Sequence, residues 1–472
     1  MRKLYNQLSI SDVYDECKDL FENDKPKFIT LLEQTIDFAD FIPHSFYNAF
    51  YQRFGRNRTY SLESFVSALV LQKIYSIPND SLLIIFLKTS KELRDFCGFT
   101  KVPDASKFTR FKQNFIDHLT TLFNNLVDYT EPICQTIDKT LASALVYDTS
   151  GIEAYVTENN PKYINSLIRK LKSTYKTNPL VDPFKMAYGL MPSCSSADKS
   201  IKQMHINGHF CYVHKFGIIT NGLGIVRHIA FLDDDFKTKH PDIIIEKKSD
   251  SPDEDKSIGD STSLQPVMND FFKAHPHLNY DVFLGDSAFD KGEHYTFLKD
   301  TCKFSKVLIP LNSRNSSTLP TVGYNEYGYP LCPNEDSLVM KYNGITKELG
   351  RTPRIKWICP KFSKGTCHCV NPCSTAKFGR TTYTFKNQNF RMLPGIVRNS
   401  QEWTNWYKQR CVVERTINHF KTNMCTADRK SRDLLTTKAD LLFAGIAQLF
   451  TVIVADKLKN HKLIRSLKPL IA

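Results

Sequence analysis

Hydrophobic positions fall into two regimes along the chain. Up to about residue 130, apolar residues recur three or four apart, the spacing of one helical face. Ser61 stands where a cap is needed before Leu62, Phe65, Leu69 and Ile74. A short helix is predicted after Asp80 through LLIIFL, and another over KELRDFCGF. After Pro103, Ser106 is placed to cap a long helix carrying Phe108, Phe111, Phe115, Leu119, Leu122 and Leu126. Farther on, short β-branched and aromatic runs alternate with helical stretches. LASALVYD, residues 141–148, reads as a strand ending in Asp148. Two runs within 210–232 flank Asn-Gly-Leu-Gly, a hairpin signal. A helix near SLQPVMNDFFKAH precedes the strand YDVFLGD, whose Val282, Leu284 and Asp286 share a face by period two. HYTFLKD then reads as a helix and KVLIPLN as a strand.

This order predicts an α/β chain with a mixed sheet flanked by helices. Residues 155–205 are polar and broken by Pro161, Pro179 and Pro183, with one helix near INSLIRKLKSTY. KKSDSPDEDKSIGDS is a charged loop without a core pattern. Residues 313–395, rich in Tyr, Gly and Pro, read as a small β-rich insertion. The division expected is a helical N-terminal domain over 1–130, a core begun over 138–312, the insertion over 313–395, and C-terminal core helices over 396–460. The apolar run Leu441–Ala455 is interrupted by Gln448 and Thr451 and is shorter than the ~20 residues of a membrane span, so it reads as a buried helix.

Charge adds a partner class. A formal net charge of +14 on 472 residues, with a pI near 9.0, favours polyanions, nucleic acid first. Arg53, Arg56, Arg58, Lys107, Arg110 and Lys112 are candidates for phosphate contacts in the helical domain, as are Lys162, Arg169, Lys170, Lys172 and Lys176 later. A helical domain with merely solvated charges is the plain alternative. The 13 cysteines are odd in number and mostly scattered, and the N-terminus lacks an apolar signal core. A reduced, cytoplasmic protein with no membrane segment is expected. Five cysteines of the insertion, Cys332, Cys359, Cys367, Cys369 and Cys373, are spaced tightly enough for a structural Zn2+. They depart from paired Cys-x2-Cys spacing, and buried free thiols fit the same residues.

The stretch with the most specific chemistry is YKQRCVVERTINHFK, residues 407–421, which lacks Gly and Pro and reads as one continuous helix. Counting 100° per residue from Tyr407, Arg410 falls at about −60°, Glu414 at about −20° and Lys421 at about −40°. Trp406, Val413, Ile417, Phe420 and Met424 gather between roughly −80° and −140°. Tyr407, Arg410, Glu414 and Lys421 therefore share a stripe bordering the buried face, where a side chain is held by the core and still reaches a cleft. His419 lies off that stripe. A surface helix with an Arg410–Glu414 charge pair is the bland reading. Phosphodiester cleavage needs an activated water and a stabilised leaving oxygen, which two divalent ions about 3.5–4 Å apart provide. Hard cations take carboxylate oxygens. Asp148 and Asp286, at predicted strand ends ahead of the Glu414 helix, are candidates for that task with Glu414, although a lone Asp at a strand end is more often a turn or cap residue. Asp233, Asp234 and Asp235 are rivals for the second acid but follow the hairpin in a polar loop, and Asp290 supports the site from behind or simply caps a helix. Trp357 either stacks on an unpaired base or packs in a core.

The spacing Y-x2-R-x3-E-x6-K resembles the signature of the DDE transposases of bacterial insertion sequences, in their Tyr-Arg-Glu-Lys subgroup. DTSGI around Asp148 and DSAFD around Asp286 resemble that family's two earlier acidic motifs, with Ala288 where the second often has Gly. The segment from SLESFVSALVL to VPDASKFTRF resembles the family's N-terminal domain. The resemblance spans about residues 40–455. It implies an RNase H-like core in which Asp148, Asp286 and Glu414 are catalytic and hold Mg2+ or Mn2+, with Tyr407, Arg410 and Lys421 on DNA. It further implies an enzyme that binds the terminal inverted repeats of its element, cuts double-stranded DNA at the ends and joins the freed 3′-hydroxyl to target DNA, as a homo-oligomer on paired ends. Two alternatives are a metal-dependent nuclease that cuts without joining and a catalytically idle DNA-binding protein derived from a transposase. The acid trio speaks against the second.

Overall fold

The computed structural model describes residues 11, 14, 26–52, 57–176, 180–206, 209–243, 258–312, 323–325, 329–347, 353–376, 379–385, 390–391, 394–396, 398, 400–428, 431 and 433–471. Arg53, Arg56 and most of the charged loop, 244–257, lie outside them. The chain divides into two compact units, residues 1–133 with 420–472, and residues 134–419.

The first unit is helical. Ser61 caps the helix Leu62–Ile74, its Oγ accepting from Ser64 N at 3.1 Å. The next helices run Asp80–Thr89 and Lys91–Phe96. The long helix expected after Pro103 differs in two respects. Asp104, not Ser106, is its cap, because the carboxylate accepts from Lys107 N at 3.2 Å and from Ser106 Oγ at 2.6 Å. The helix also breaks at Phe115 (φ −127°, ψ 26°) into Ala105–Asn114 and Ile116–Ile137. All six apolar positions named for it are nevertheless buried. The C-terminal apolar run lies in a 24-residue helix, Leu434–Lys457, packed on Leu62–Ile74 and Ala105–Asn114. By length and composition that helix could cross a membrane, but its apolar window is 94% buried within the protein. This moves the expected division. Residues from 420 onward group with the N-terminal helices rather than with the core, because Leu434–Lys457 completes their interior. Lys112, a candidate for phosphate contact, is instead sealed inside, 2.6 Å from Asp80 and 2.8 Å from Asp440. A buried ammonium needs such partners. Arg58, Lys107 and Arg110 are exposed.

The second unit is built on a six-stranded sheet. Its strands are β1 (Ala144–Glu153), β2 (Lys202–Ile206), β3 (His209–Asn221), β4 (Val226–Phe231), β5 (Val282–Leu284) and β6 (Lys306–Leu308). The order is β2-β3-β1-β5-β6, with β4 also pairing β3. β1 is antiparallel to β3 and parallel to β5, and β5 is parallel to β6. β3 and β4 form the expected hairpin about Asn221-Gly222-Leu223-Gly224. Alternation along β1 sends Leu145 and Tyr147 into a core with Phe283, Val307 and the helix Asp260–Ala274 through Leu264, Val267, Met268 and Phe271. Val146 and Asp148 belong to the opposite face. The helix Cys411–Asn418 packs on β1 and β3, with Thr416 Oγ1 donating to Gly224 O at 2.8 Å.

β1 runs past Asp148 to Glu153, so that acid is mid-strand rather than terminal. Antiparallel pairing with β3 carries the strand on, setting Asp148 opposite Ile218 and Glu153 opposite Val213. The segment 155–205 holds a second helix, Pro183–Gly189, besides Pro161–Thr174, and ends in β2, which polar residues had masked. The described part of the insertion is β-rich as expected, with β7 (Leu331–Cys332), β8 (Glu335–Val339), β9 (Lys341–Thr346), β10 (Arg354–Ile358), β11 (Phe362–Ser363), β12 (Thr366–Cys367) and β13 (Thr381–Phe385).

Candidate active site

The register of β1 and β5 positions the first two acids. Val146 pairs with Leu284, and Asp148 and Asp286 each follow two residues later. Period two puts Asp148 on the face of Val146, and Asp286 follows the end of β5 in extended backbone (φ −78°, ψ 163°). Local backbone bonds hold them. Asp148 Oδ1 accepts from Thr149 N at 2.9 Å. Asp286 caps the 3-10 turn Ser287–Phe289, its Oδ1 accepting from Ser287 N and Oγ.

Glu414 arrives from the helical stretch, which is less regular than expected. An α-helix, Gln401–Tyr407, passes into a 3-10 turn, Lys408–Arg410, then into the α-helix Cys411–Asn418 and a π-helical turn, His419–Asn423. A uniform 100° per residue therefore fails across it, since 3-10 and π turns advance by different angles. The 407–414 part still converges with the strand acids. Arg410 Nη2 lies 3.3 Å from Asp148 Oδ2 and 3.4 Å from Asp286 Oδ2, while Nη1 contacts Glu414 Oε1. Three acids separated by more than a hundred residues thus meet on one guanidinium. Lys421 is half-buried in the His419–Asn423 turn and belongs to the helical unit.

Their environments differ. Side-chain exposure is 19% for Asp148, 46% for Asp286 and 51% for Glu414. Burial pushes the Asp148 carboxyl up to about 6, against the downward pull of Arg410 and the Thr149 N–H, with Glu414 and Asp286 adding to the rise. Burial disfavours the Arg410 charge, but the three carboxylates outweigh it and raise its pKa. Tyr407, stacked on Trp403 at a centroid distance of 6.1 Å, has its phenol raised by burial; Arg410 pulls against that, and Asp286, Glu414 and Asp148 reinforce it. Tyr407 is thus within electrostatic reach of the whole group.

Several supporting residues were not evident in the sequence. Thr149 Oγ1 donates to Asp260 Oδ1 at 2.5 Å, and Asp260 pairs with Lys215 at 2.7 Å. This braces the residue whose amide holds Asp148. Lys215 gave no signal, being a single cation within an apolar strand. Asp290 is neither at the acid group nor a simple helix cap. It is fully buried, bound by Arg391 Nε and Nη2 at 2.8 and 2.7 Å and by Asn312 N at 2.8 Å. Asp233 caps the helix Asp234–Lys239, accepting from Phe236 N at 3.0 Å, which removes it as a rival acid. Trp357 is a packed residue, its Nε1 donating to Thr384 Oγ1 at 2.7 Å.

Three carboxylates are the oxygen donor set that a hard divalent cation takes. As placed around Arg410, they are not a ready cage, and no group of three His, Cys, Asp or Glu among the described residues is arranged to hold a metal ion. The insertion thiols are buried or half-buried. They lie near one another, since burial first, and then Cys332, Cys367 and Cys373, raise the Cys359 thiol. They too lack a metal-ready arrangement among the described residues.

Residues 15–114 match a family model described as a transposase domain (DUF772), about a fifth of the chain. No curated protein matches the chain. Among solved structures, the cryo-EM structure of a piggyBac transposase synaptic complex with hairpin DNA aligns over 97% of this chain and 78% of that chain, at 11% identity and a TM-score of 0.36. So loose a superposition carries no argument about fold or chemistry.

Proposed function

We propose that this chain is a DDE transposase, an enzyme that cuts DNA at the ends of its element and joins them to target DNA. The observation that carries the reading is the meeting of Asp148, Asp286 and Glu414 on Arg410. The transposase-domain match over residues 15–114 supports it independently. A six-stranded sheet in which β2 and β4 both pair antiparallel with β3, and β1, β5 and β6 run parallel, is compatible with an RNase H-like core.

In this reading the strand acids are rigidly mounted, and Glu414 approaches from a helix packed on the same strands. Asp148, Asp286 and Glu414 would hold Mg2+ or Mn2+, which when bound would supply Lewis-acid stabilisation of the phosphodiester oxygens. Arg410 offers a planar fork suited to a phosphate. Tyr407, beside it, has a hydroxyl that can donate to a phosphate oxygen. The exposed cations Lys162, Arg169, Lys170, Lys172 and Lys176 on and beside the helix Pro161–Thr174 give the catalytic unit a surface for the DNA backbone. The exposed Arg58, Lys107 and Arg110 do the same for the helical unit.

The test is a reaction with duplex DNA taken from the flanks of the chain's own coding region, a supercoiled target and Mg2+ or Mn2+. Cleavage at defined ends followed by joined products is expected. Cleavage without joined products would make the chain a nuclease. Sequence-specific binding with neither reaction would make it an idle DNA-binding protein.

A further inference from the structure

Arg410 is expected from the sequence to hold DNA, yet it points into the acids. Its guanidinium touches all three carboxylates. Its side chain is 17% exposed. Three ionised carboxylates and one guanidinium leave a formal local charge of −2, so one arginine neutralises only part of the group. The pose is also incomplete as a hydrogen-bonding arrangement, because Arg410 Nε is buried without an acceptor. A buried donor left unsatisfied is destabilising and is uncommon in a settled hydrogen-bonding arrangement.

A guanidinium and a metal ion set different spacings. Mg2+ draws oxygen ligands in to about 2.0–2.1 Å, so that two of them lie at most about 4.2 Å apart. Arg410 Nη2 lies 3.3 Å from Asp148 and 3.4 Å from Asp286 while Glu414 meets Nη1, and nothing in these contacts requires the three carboxylates to approach one another as closely as ligands of one ion do. This accounts for three acids that converge without forming a cage.

We propose that Arg410 is an internal counter-cation that competes with the divalent ion for Asp148, Asp286 and Glu414, so that its inward pose and metal occupancy exclude each other. The inference rests on the reading of these acids as metal-binding. Arg410 is then a positioning residue in the metal-free protein: it keeps mutually repelling carboxylates together until the ion replaces it. The long side chain and unpartnered Nε leave it free to turn to a phosphate, which reconciles the role expected from its spacing with the contacts it makes.

The test uses the full chain, stripped of metal with chelator and free of DNA. Mn2+ is titrated in, and the bound fraction is read from loss of the free-ion electron paramagnetic resonance signal. Arg410→Gln should bind Mn2+ at least about tenfold more tightly than the unaltered chain, which corresponds to 1.4 kcal/mol. Arg410→Lys, which keeps one charge but loses the fork, should fall between them and covers the case in which Arg410→Gln does not fold. Asp148→Asn should bind weakly and sets the background. Thermal melting should show Arg410→Gln destabilised without metal and restored by Mn2+. Equal or weaker Mn2+ binding by both Arg410 variants would overturn the inference while leaving the acids as a metal site. Binding at the Asp148→Asn background by every protein would overturn the metal reading itself.

Discussion

Asp148 lies within β1 and Asp286 just past the end of its parallel neighbour β5, each two residues beyond the Val146–Leu284 pair. That relationship makes the two acids neighbours although 137 residues lie between them in the sequence. It depends on register, since a one-residue slip would send one carboxylate to the opposite face. The opposite face is filled by the aromatic and aliphatic core around Tyr147 and Phe283. Packing of that core therefore fixes the acids as firmly as their own hydrogen bonds do.

Gly217 tests this coupling. A Cβ there would lie 2.7 Å from the Tyr147 hydroxyl and 2.8 Å from its ring. Tyr147 is fully buried and bonded to Ser263 Oγ at 2.7 Å, so it has little room to yield. Gly217→Ala is expected to cost about 1–3 kcal/mol through overpacking and to lower DNA cleavage through a shifted β1. Urea denaturation and a cleavage assay check both effects. A variant with unchanged midpoint and rate would mean that Tyr147 does not hold β1.

Asp290 and Arg391 form a buried pair whose loss should be costly. Asp290→Ala leaves the guanidinium without its two carboxylate bonds. Removing one member of such a pair typically costs 3–5 kcal/mol. The expected result is a loss of about that size in urea unfolding. A loss under about 1 kcal/mol would contradict the account of Asp290 as the anchor for residue 391.

His294 should make the unit of residues 134–419 acid-sensitive. Burial, and then Lys291, push its imidazole down to about 4. Its neutral form satisfies both neighbours, with Nδ1 accepting from Gln265 Nε2 at 3.1 Å and Nε2–H donating to Ser261 Oγ at 2.9 Å. The unfolded chain takes up a proton below about pH 6.5, and the folded one only near pH 4. Stability from this group is therefore complete above about 6.5 and is lost as pH falls towards 4. The span is worth up to about 3 kcal/mol. His294→Gln should flatten that slope in melting temperature against pH. Parallel slopes for the two proteins would assign the acid sensitivity elsewhere.

Much of this fold is legible from side-chain periodicity, where burial and local preference agree. The helices starting at Leu62 and Asp80 and the hairpin at Asn221–Gly224 are of this kind. What periodicity misses is set by distant partners. β1 runs past Asp148 because β3 pairs with it, and Thr149-Ser150-Gly151 carries no strand signal of its own. Residues 420–472 group with the N-terminal helices because Leu434–Lys457 fills their core, which no local pattern encodes. In the site, Asp148, Asp286, Glu414 and Arg410 stand out in the sequence through their motifs, and the structure places them together. The inward turn of Arg410, the burial of Lys112 and the Lys215–Asp260–Thr149 brace arise from ion pairs between remote segments.

If Asp148, Asp286 and Glu414 act as one catalytic centre on DNA, as proposed, none of them is dispensable for either reaction. The direct measurement is end cleavage and strand joining by Asp148→Asn, Asp286→Asn and Glu414→Gln beside the unaltered chain, with DNA binding and circular dichroism recorded on the same samples. Each substitution is expected to lower both reactions on the order of a hundredfold or more, with binding and fold retained. Any one of the three cleaving and joining at the unaltered rate would contradict the claim.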